Sequence, residues 1–328
     1  MAVDRNDKRE VLLIGPPKRV VVKGLQSACT LHTLAAAKLL DAFIADHAGV
    51  RAIACSATTE RIPGSLMERF PKLQIVSSFG VGYDHMDAKW ASEHGVILTN
   101  TPGVLTEEVA DTALGLLLCT ARELPQAERY LRAGKWPQGD YQLSAASLRN
   151  RTVGMVGMGA IGRAIARRLE AMKVPVVYHT RKKRPELGYR HYPNLRDMAR
   201  DVNVLLAIVP GGGATRNMID AEVLDALGPD GILINMARGS VVDEAALIKA
   251  LKERRILSAG LDVFAREPDV PRELIAMDNV VLFPHLGSAS VFTREMMDQL
   301  VVDNILAWAA GKPPLTPVAE TPFRSWKD

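Results

Sequence analysis

The chain has 328 residues, 48% of them hydrophobic and 24% charged, and a net charge of +4; this is the balance of a globular protein too long for one core, so about two domains are expected. The charge is spread without a basic tract, an RNA-recognition signature or zinc spacing, which argues against nucleic acid as a partner. The longest apolar stretch, near Ala113 to Ala121, is too short to cross a bilayer, and the polar start MAVDRNDKRE has no apolar core to resemble a signal peptide, so a cytoplasmic protein is expected.

From Glu10 to about Pro102, short apolar strands alternate with helical stretches: Val11 to Ile14, a helix near Leu31 to Ala45, Ala52 to Ala54, a helix near Ser65 to Phe70, Leu73 to Val76 and Val96 to Leu98. Alternation of this kind predicts a small parallel α/β unit with right-handed crossovers. The segment Ser78-Phe79-Gly80-Val81-Gly82-Tyr83-Asp84 follows a strand and carries glycines at its carboxyl end, where open α/β sheets bind ligands. The N–H groups of Val81 and Gly82 are candidates to hold a small carboxylate, with a plain tight turn as the alternative. Cys29, Cys55 and Cys119 are odd in number and widely spaced, without CxxC or a nearby His, so reduced, buried thiols and no metal site are expected.

Pro102-Gly103 is the expected hinge into a second domain. Thr106 opens a long helix, with Glu107 and Glu108 in the first turn, where acidic side chains complement the helix dipole. Trp136 sits in a polar loop, a setting in which an aromatic is more often a packing or interface residue than a ligand group. The segment Thr152 to Arg184 then reads as strand, glycine turn, helix, strand, with Gly157-Met158-Gly159-Ala160-Ile161-Gly162 as the turn. A dinucleotide site uses such a turn: Gly157 for the tight bend, Gly159 for approach of a pyrophosphate, Gly162 for close packing of helix on strand. An ordinary βαβ turn is the bland alternative.

The second strand, Val174 to His179, ends where a carboxylate usually holds the ribose 2′-hydroxyl. Thr180-Arg181-Lys182-Lys183-Arg184 stands there instead. A hydroxyl followed by a guanidinium can bind a 2′-phosphate that a carboxylate would repel, so NADPH is expected over NADH. The competing expectation is a solvated charge run.

Further strands are expected at Val204 to Val209, ending at Pro210, and at Ile232 to Asn235, Leu257 to Val263 and Val280 to Phe283. Three of them deliver distinctive residues at or past their carboxyl ends: Arg238, then Asp262 with Glu267, then His285. His285 can donate a proton near neutral pH. Glu267 can orient the imidazole through its other nitrogen, and Arg238 offers fixed donors to a carboxylate. Asp262 is a candidate to accept from a nicotinamide carboxamide or to cap the following turn. Each residue taken singly also has a structural alternative. The helical stretch Thr293 to Ala310 and the segment GKPPLTPV are expected to return to the first domain. The domains expected are therefore 1–102 with 292–328, discontinuous and substrate-binding, and 103–291, dinucleotide-binding.

The ordered set GVGYDHMD, NTPGVLTEEVAD, VGMVGMGAIG, NMARGSVVDEAAL, GLDVFAREP and FPHLGSAS resembles the D-isomer-specific 2-hydroxyacid dehydrogenase family from about Val76 onward. The resemblance implies an α/β protein of two Rossmann-like domains with doubly wound parallel sheets, an active site in the interdomain cleft, and a homodimer. It implies Arg238, Glu267 and His285 as the catalytic trio and Val81, Gly82 and Arg238 as the substrate-binding set. Around the glycine turn it implies cofactor contacts from Met158, Ala160 and Ile161 besides the three glycines. Thr106, Thr180, Arg181, Lys182, Val209, Pro210 and Thr215 are expected to join them, as are Met236, Ala237, Asp262, His285 and Gly287.

Thr180-Arg181 and Trp136 are similar to the NADPH-using glyoxylate/hydroxypyruvate reductase branch, in which a tryptophan of this loop can reach the neighbouring subunit's active site. The implied reaction is hydride transfer from NADPH, with NADH possible, to a small 2-oxo acid, giving the D-2-hydroxy acid. Glu267 disfavours formate dehydrogenases, which carry glutamine there. The alternatives are a dinucleotide-responsive corepressor-like binding protein, a reductase of larger 2-keto acids such as 2-ketogluconate, and a 3-phosphoglycerate dehydrogenase.

Overall fold

The computed structural model describes residues 9–34, 43–44, 47, 49–56 and 61–326. The chain divides into two compact units, one reaching to Leu105 and resuming at Ser290, the other Thr106–Ala289. The divisions lie a few residues from the 102/103 and 291/292 expected, because each break falls at a helix start. Thr106 begins a 17-residue helix, and Ser290 caps the Val291–Ala309 helix through its hydroxyl and the Thr293 amide at 3.2 Å.

In the first unit, β1 (Glu10–Ile14), β2 (Thr30–Leu34), β3 (Ala52–Cys55), β4 (Ile75–Ser78) and β5 (Ile97–Thr99) form a parallel sheet in the order β2-β1-β3-β4-β5. β3 and β4 are buried along their whole length, as expected of parallel strands covered by helices on both faces. Leu12, Ile53, Val76 and Leu98 from successive strands pack with Met67 and Phe70 into one core.

β2 corrects an expectation. Thr30–Leu34 pairs with β1 as an edge strand, where a helix was expected from Leu31; the rest of that helix, 35–42 and 45, lies outside the described residues. Only Leu34 of β2 is buried. A strand with one neighbour buries too little to impose an alternating apolar pattern, so Leu31 and Leu34 mimic helical spacing. The helix expected from Ser65 to Phe70 shortens to Gly64–Met67.

In the second unit, β6 (Val153–Val156), β7 (Val176–His179), β8 (Arg190–Tyr192), β9 (Val204–Ala207), β10 (Ile232–Asn235), β11 (Ser258–Leu261) and β12 (Val280–Leu282) form a second parallel sheet, ordered β12-β11-β10-β9-β6-β7-β8. The order reverses between β6 and β9, the doubly wound arrangement whose crevice takes a ligand. Val156, Leu205, Leu233 and Ala259 carry the core across this sheet, with Val223 and Leu247 from covering helices. β8, three residues with a charged and an exposed start, has no sequence signature.

The Thr106–Arg122 helix lies against Ala160–Ala171, where Arg168 reaches Glu107 and Asp111, each at 2.7 Å. The acidic first turn is thus engaged by a cation as well as by the helix dipole, although both carboxylates are exposed and the gain is small. No described helix is long and apolar enough to cross a membrane.

Candidate active site

The glycine turn leaves β6 with Gly157 at φ +103°, a left-handed conformation that a side chain rarely adopts. A Cβ there would also stand 2.6 Å from the Ile208 carbonyl oxygen, and one on Gly162 would stand 2.7 Å from that of Gly157. Gly159 differs, since nothing lies within 4 Å of the Cβ position. Gly159 precedes the Ala160–Ala171 helix as its N-cap, so the open space faces helix N–H groups that favour an anion. Crowded first and third glycines around an open second one fit a dinucleotide pyrophosphate.

Met158 is buried, Ala160 exposed and Ile161 half-buried. Val209 and Pro210 leave β9 beside Gly157, and the Thr215 hydroxyl closes the following loop by donating to the Pro210 carbonyl at 2.7 Å.

Past β7, the buried Tyr178 hydroxyl accepts from the Arg184 amide at 2.8 Å and donates to the Arg184 carbonyl at 3.1 Å, clamping the basic loop into a closed turn. Thr180 donates to the Lys182 carbonyl at 2.7 Å. The hydroxyl expected to meet a phosphate therefore braces the loop, while Arg181, Lys182 and Lys183 are exposed with no ion pair among the described residues.

The three strand ends beyond carry the ionisable groups. Asn235, the last residue of β10, is 1% exposed; its side chain accepts from the Ala237 amide and donates to the Arg238 carbonyl, each at 3.0 Å. This locks the turn on which the buried Met236 and Ala237 and the half-buried Arg238 sit. Asn235 has no local signal beyond its place in NMARGS.

At the end of β11, Asp262 is 2% exposed and accepts from the Leu286 amide at 2.6 Å and the Gly287 amide at 2.9 Å. Burial pushes its carboxyl above the usual range, against the pull of those two amides. The Asp262 carbonyl accepts from the His285 amide at 3.0 Å. Asp262 thus holds the His285 turn from both its side chain and its backbone. The Thr112 hydroxyl donates to the Gly287 carbonyl at 3.2 Å and ties the turn to the Thr106–Arg122 helix.

His285 has φ +55°, strained for a non-glycine residue and characteristic of functional turns. Its Nδ1 lies 2.7 Å from Glu267 Oε2, and the Phe264 amide donates to Glu267 Oε1 at 3.0 Å. Burial pushes Glu267 up, but the hydrogen bond and charge of His285, the Phe264 amide and the Arg238 charge outweigh it, so its carboxyl lies below the usual value. A carboxylate on Nδ1 keeps one ring proton there and leaves Nε2 as the outward nitrogen, the site of the second proton in the imidazolium.

In the first unit, the turn after β4 is pinned on one side. The Gly80 amide donates to the Thr101 hydroxyl and the Thr101 amide to the Gly80 carbonyl, each at 2.9 Å, and Asn100 donates to the Val81 carbonyl at 2.8 Å. Neither the Val81 nor the Gly82 amide has an acceptor among the described residues.

Thr106 is half-buried at the start of its helix. Trp136 lies in a short turn, Trp136–Gln138, and is 61% exposed. A hollow of about 300 Å³ lined by Thr120, Gln126, Arg254 and Asp278 opens at the amino ends of β11 and β12. It holds none of the groups above, and open α/β sheets take their ligands at the opposite ends. Among the described residues no His, Cys, Asp and Glu cluster could hold a metal ion.

Comparison with known proteins gives a consistent set. Residues 114–287 match the model of the D-isomer specific 2-hydroxyacid dehydrogenase, NAD binding domain. The chain is 48% identical over 253 residues to glyoxylate/hydroxypyruvate reductase A of Arabidopsis thaliana, covering 77% of this chain and 80% of that one. It is 39% identical to the 2-ketogluconate reductase of Gluconobacter oxydans over 95% of this chain and 99% of that one. Among solved structures, it is similar to the NADPH-dependent glyoxylate/hydroxypyruvate reductase of Sinorhizobium meliloti in complex with NADP and malonate. The TM-score is 0.93 and the identity 50%, over 97% of this chain and 99% of that one.

Proposed function

The chain belongs to the D-isomer specific 2-hydroxyacid dehydrogenase family, and from that footing we propose that it reduces small 2-oxo acids such as glyoxylate and hydroxypyruvate to D-2-hydroxy acids with NADPH. The observation that carries the reading is the 2.7 Å pair of His285 and Glu267 at the strand ends of the nucleotide unit.

Gly157, Gly159 and Gly162 would hold NADPH along the glycine turn, and the cofactor would supply the hydride for C2 of the 2-oxo acid. His285 Nε2 gives its proton to the carbonyl oxygen as the C=O bond becomes C–O–H. Glu267 accepts from Nδ1, which fixes the imidazole plane and stabilises its cationic form. Arg238 binds the substrate carboxylate and steadies the negative charge that develops on the carbonyl oxygen. The Val81 and Gly82 amides are further donors to that carboxylate. In the reverse direction His285 takes the hydroxyl proton.

Support for NADPH over NADH lies at the end of β7, where Thr180 and Arg181 stand in place of a carboxylate and Arg181 and Lys182 are exposed without an ion pair among the described residues. With glyoxylate and hydroxypyruvate in one buffer, kcat/KM with NADPH is expected to exceed that with NADH by at least about tenfold. Arg181→Ala is expected to remove most of that ratio by weakening NADPH alone. Equal use of both cofactors would discard the phosphate site, and absence of turnover with either would discard the reductase reading.

A homodimer belongs to the same reading. Leu124, Leu131, Trp136 and Leu143 are 47–94% exposed along one stretch, and no residue of the Leu124–Arg132 helix is buried. An amphipathic helix with an uncovered apolar side calls for a partner surface, here a second copy that brings Trp136 towards the neighbour's active site. Sedimentation equilibrium is expected to give twice the chain mass; a single-chain mass at micromolar concentration would remove the dimer. The compartment proposed is the cytoplasm, in keeping with Cys29, Cys55 and Cys119 outside any disulfide; the first two are buried as expected, whereas Cys119 is partly exposed.

A further inference from the structure

The motif NTPG, at Asn100 to Gly103, precedes the second unit and has no role in the reaction as described so far. Its first two residues face the turn that carries the Val81 and Gly82 amides. A trans peptide is planar, with its C=O and N–H on opposite sides. The Thr101 amide holds the Gly80 carbonyl at 2.9 Å, which directs the N–H of Val81, in the same peptide unit, to the other side. Asn100 Nδ2 holds the Val81 carbonyl at 2.8 Å, which does the same for the N–H of Gly82. Two consecutive peptide planes are thus gripped by their oxygens, and both donors point away from the grip. A hydrogen bond on a peptide oxygen also polarises that peptide and strengthens its N–H as a donor.

Asn100 is itself held from the far end of the chain. Its carbonyl accepts from the Thr316 hydroxyl at 2.6 Å, and its amide donates to the Thr316 carbonyl at 3.3 Å. The Thr316 hydroxyl in turn accepts from Asn304 Nδ2 at 2.9 Å. Asn304, on the last helix, is fully buried. Its Nδ2 also donates to the Leu300 carbonyl at 2.8 Å, and its Oδ1 accepts from the Leu315 and Thr316 amides at 2.9 and 3.1 Å. Both donors and both acceptor directions of its amide are used. A fully satisfied buried amide admits one arrangement of the segments it joins.

We propose that Asn100 is a positioning residue of the reductase, which aims and strengthens the Gly82 amide towards the substrate carboxylate, and that the Asn304–Thr316 relay from the C-terminal segment holds Asn100 in place. The proposal rests on the assignment of Val81 and Gly82 as carboxylate donors. It makes the C-terminal segment part of the substrate-binding apparatus, although none of its residues need touch substrate.

The test compares Asn100→Ala, Thr316→Val and Gly82→Pro in the full chain. Asn100→Ala is expected to raise KM for glyoxylate about tenfold, with kcat within about threefold and the NADPH dissociation constant unchanged. Thr316→Val keeps Asn100 but removes its support, and is expected to raise KM by about threefold. Gly82→Pro deletes the N–H itself and is expected to raise KM at least as much as Asn100→Ala. A normal KM in Asn100→Ala beside a raised KM in Gly82→Pro overturns the positioning role and leaves the carboxylate turn standing. A normal KM in Gly82→Pro overturns both. Parallel losses of kcat, KM and NADPH affinity in Thr316→Val and Asn100→Ala, with lowered Tm, overturn the proposal in favour of a purely structural strut.

Discussion

His285→Ala is expected to lower kcat by two to four decades while the NADPH dissociation constant stays near that of the parent. At about 1.36 kcal/mol per decade this is a loss of roughly 3–5 kcal/mol of transition-state stabilisation. The size follows from the placement of the ring. Nδ1 is engaged by Glu267 at 2.7 Å, so in the proposed mechanism the proton leaves from Nε2, and alanine supplies nothing there. His285→Asn serves as the control, since asparagine accepts the φ of +55° at this position better than most residues. Both variants should lose turnover alike. Near-normal turnover in either would sink the assignment of His285 as the proton donor.

The same substitution has a signature in pH. Glu267 lies below the ordinary glutamate value of 4.5 in the folded protein. Its contribution to stability is therefore complete above that value and is lost as pH falls through the lowered one. Removing His285 takes away the hydrogen bond and charge that lower it. The Tm of the parent should exceed that of His285→Ala at pH 7, and the gap should narrow as pH is taken below 4.5. A gap independent of pH would show that the pair contributes nothing through ionisation.

Gly239→Ala is expected to cost at least as much activity as His285→Ala, and stability besides. A Cβ on Gly239 would stand 1.8 Å from the Phe264 carbonyl carbon, 2.0 Å from its oxygen and 2.2 Å from the Ala265 nitrogen. These are backbone atoms, so no side-chain rotation can relieve the overlap. The turn carrying Arg238 must part from the turn whose Phe264 amide holds Glu267. One methyl group thereby displaces two members of the trio at once. A destabilisation of about 3 kcal/mol or more is expected, and on the order of 10 °C in Tm. The expected kcat/KM is two or more decades below the parent, measured on protein shown by circular dichroism to remain folded. An active Gly239→Ala enzyme with parental Tm would show that the two turns do not need this contact.

Gly239 also shows where sequence reading stops. Arg238 is visible in ARG at the end of an apolar strand, and so are Glu267 and His285 at theirs, because parallel strands announce their carboxyl ends by where an apolar run stops. Gly239 looks like any glycine after an arginine until Phe264 is placed against it. Asp262 has two uses open in the sequence, and the structure adds a third contact that neither names, with amides 24 and 25 residues away. Thr180, a candidate phosphate ligand from its place after the second strand, also braces its loop through the Lys182 carbonyl, a contact that the sequence does not announce. The strand Thr30–Leu34 was read as helix because an edge strand with a single buried residue has no alternation to show.

The sequence by itself determined the α/β class, the two-domain layout and the glycine turn. These follow from periodicity and from the conformational needs of single residues, which are local properties. Only the tertiary structure shows which groups brace the candidate residues: Asp262 behind His285, Asn235 under Arg238, Asn100 on the Val81 carbonyl, and Gly239 between two turns. The reason is that each of these acts through a contact with a partner distant in sequence or through space left beside it. Distance along the chain carries no information about such a contact until the sheets bring their strand ends together.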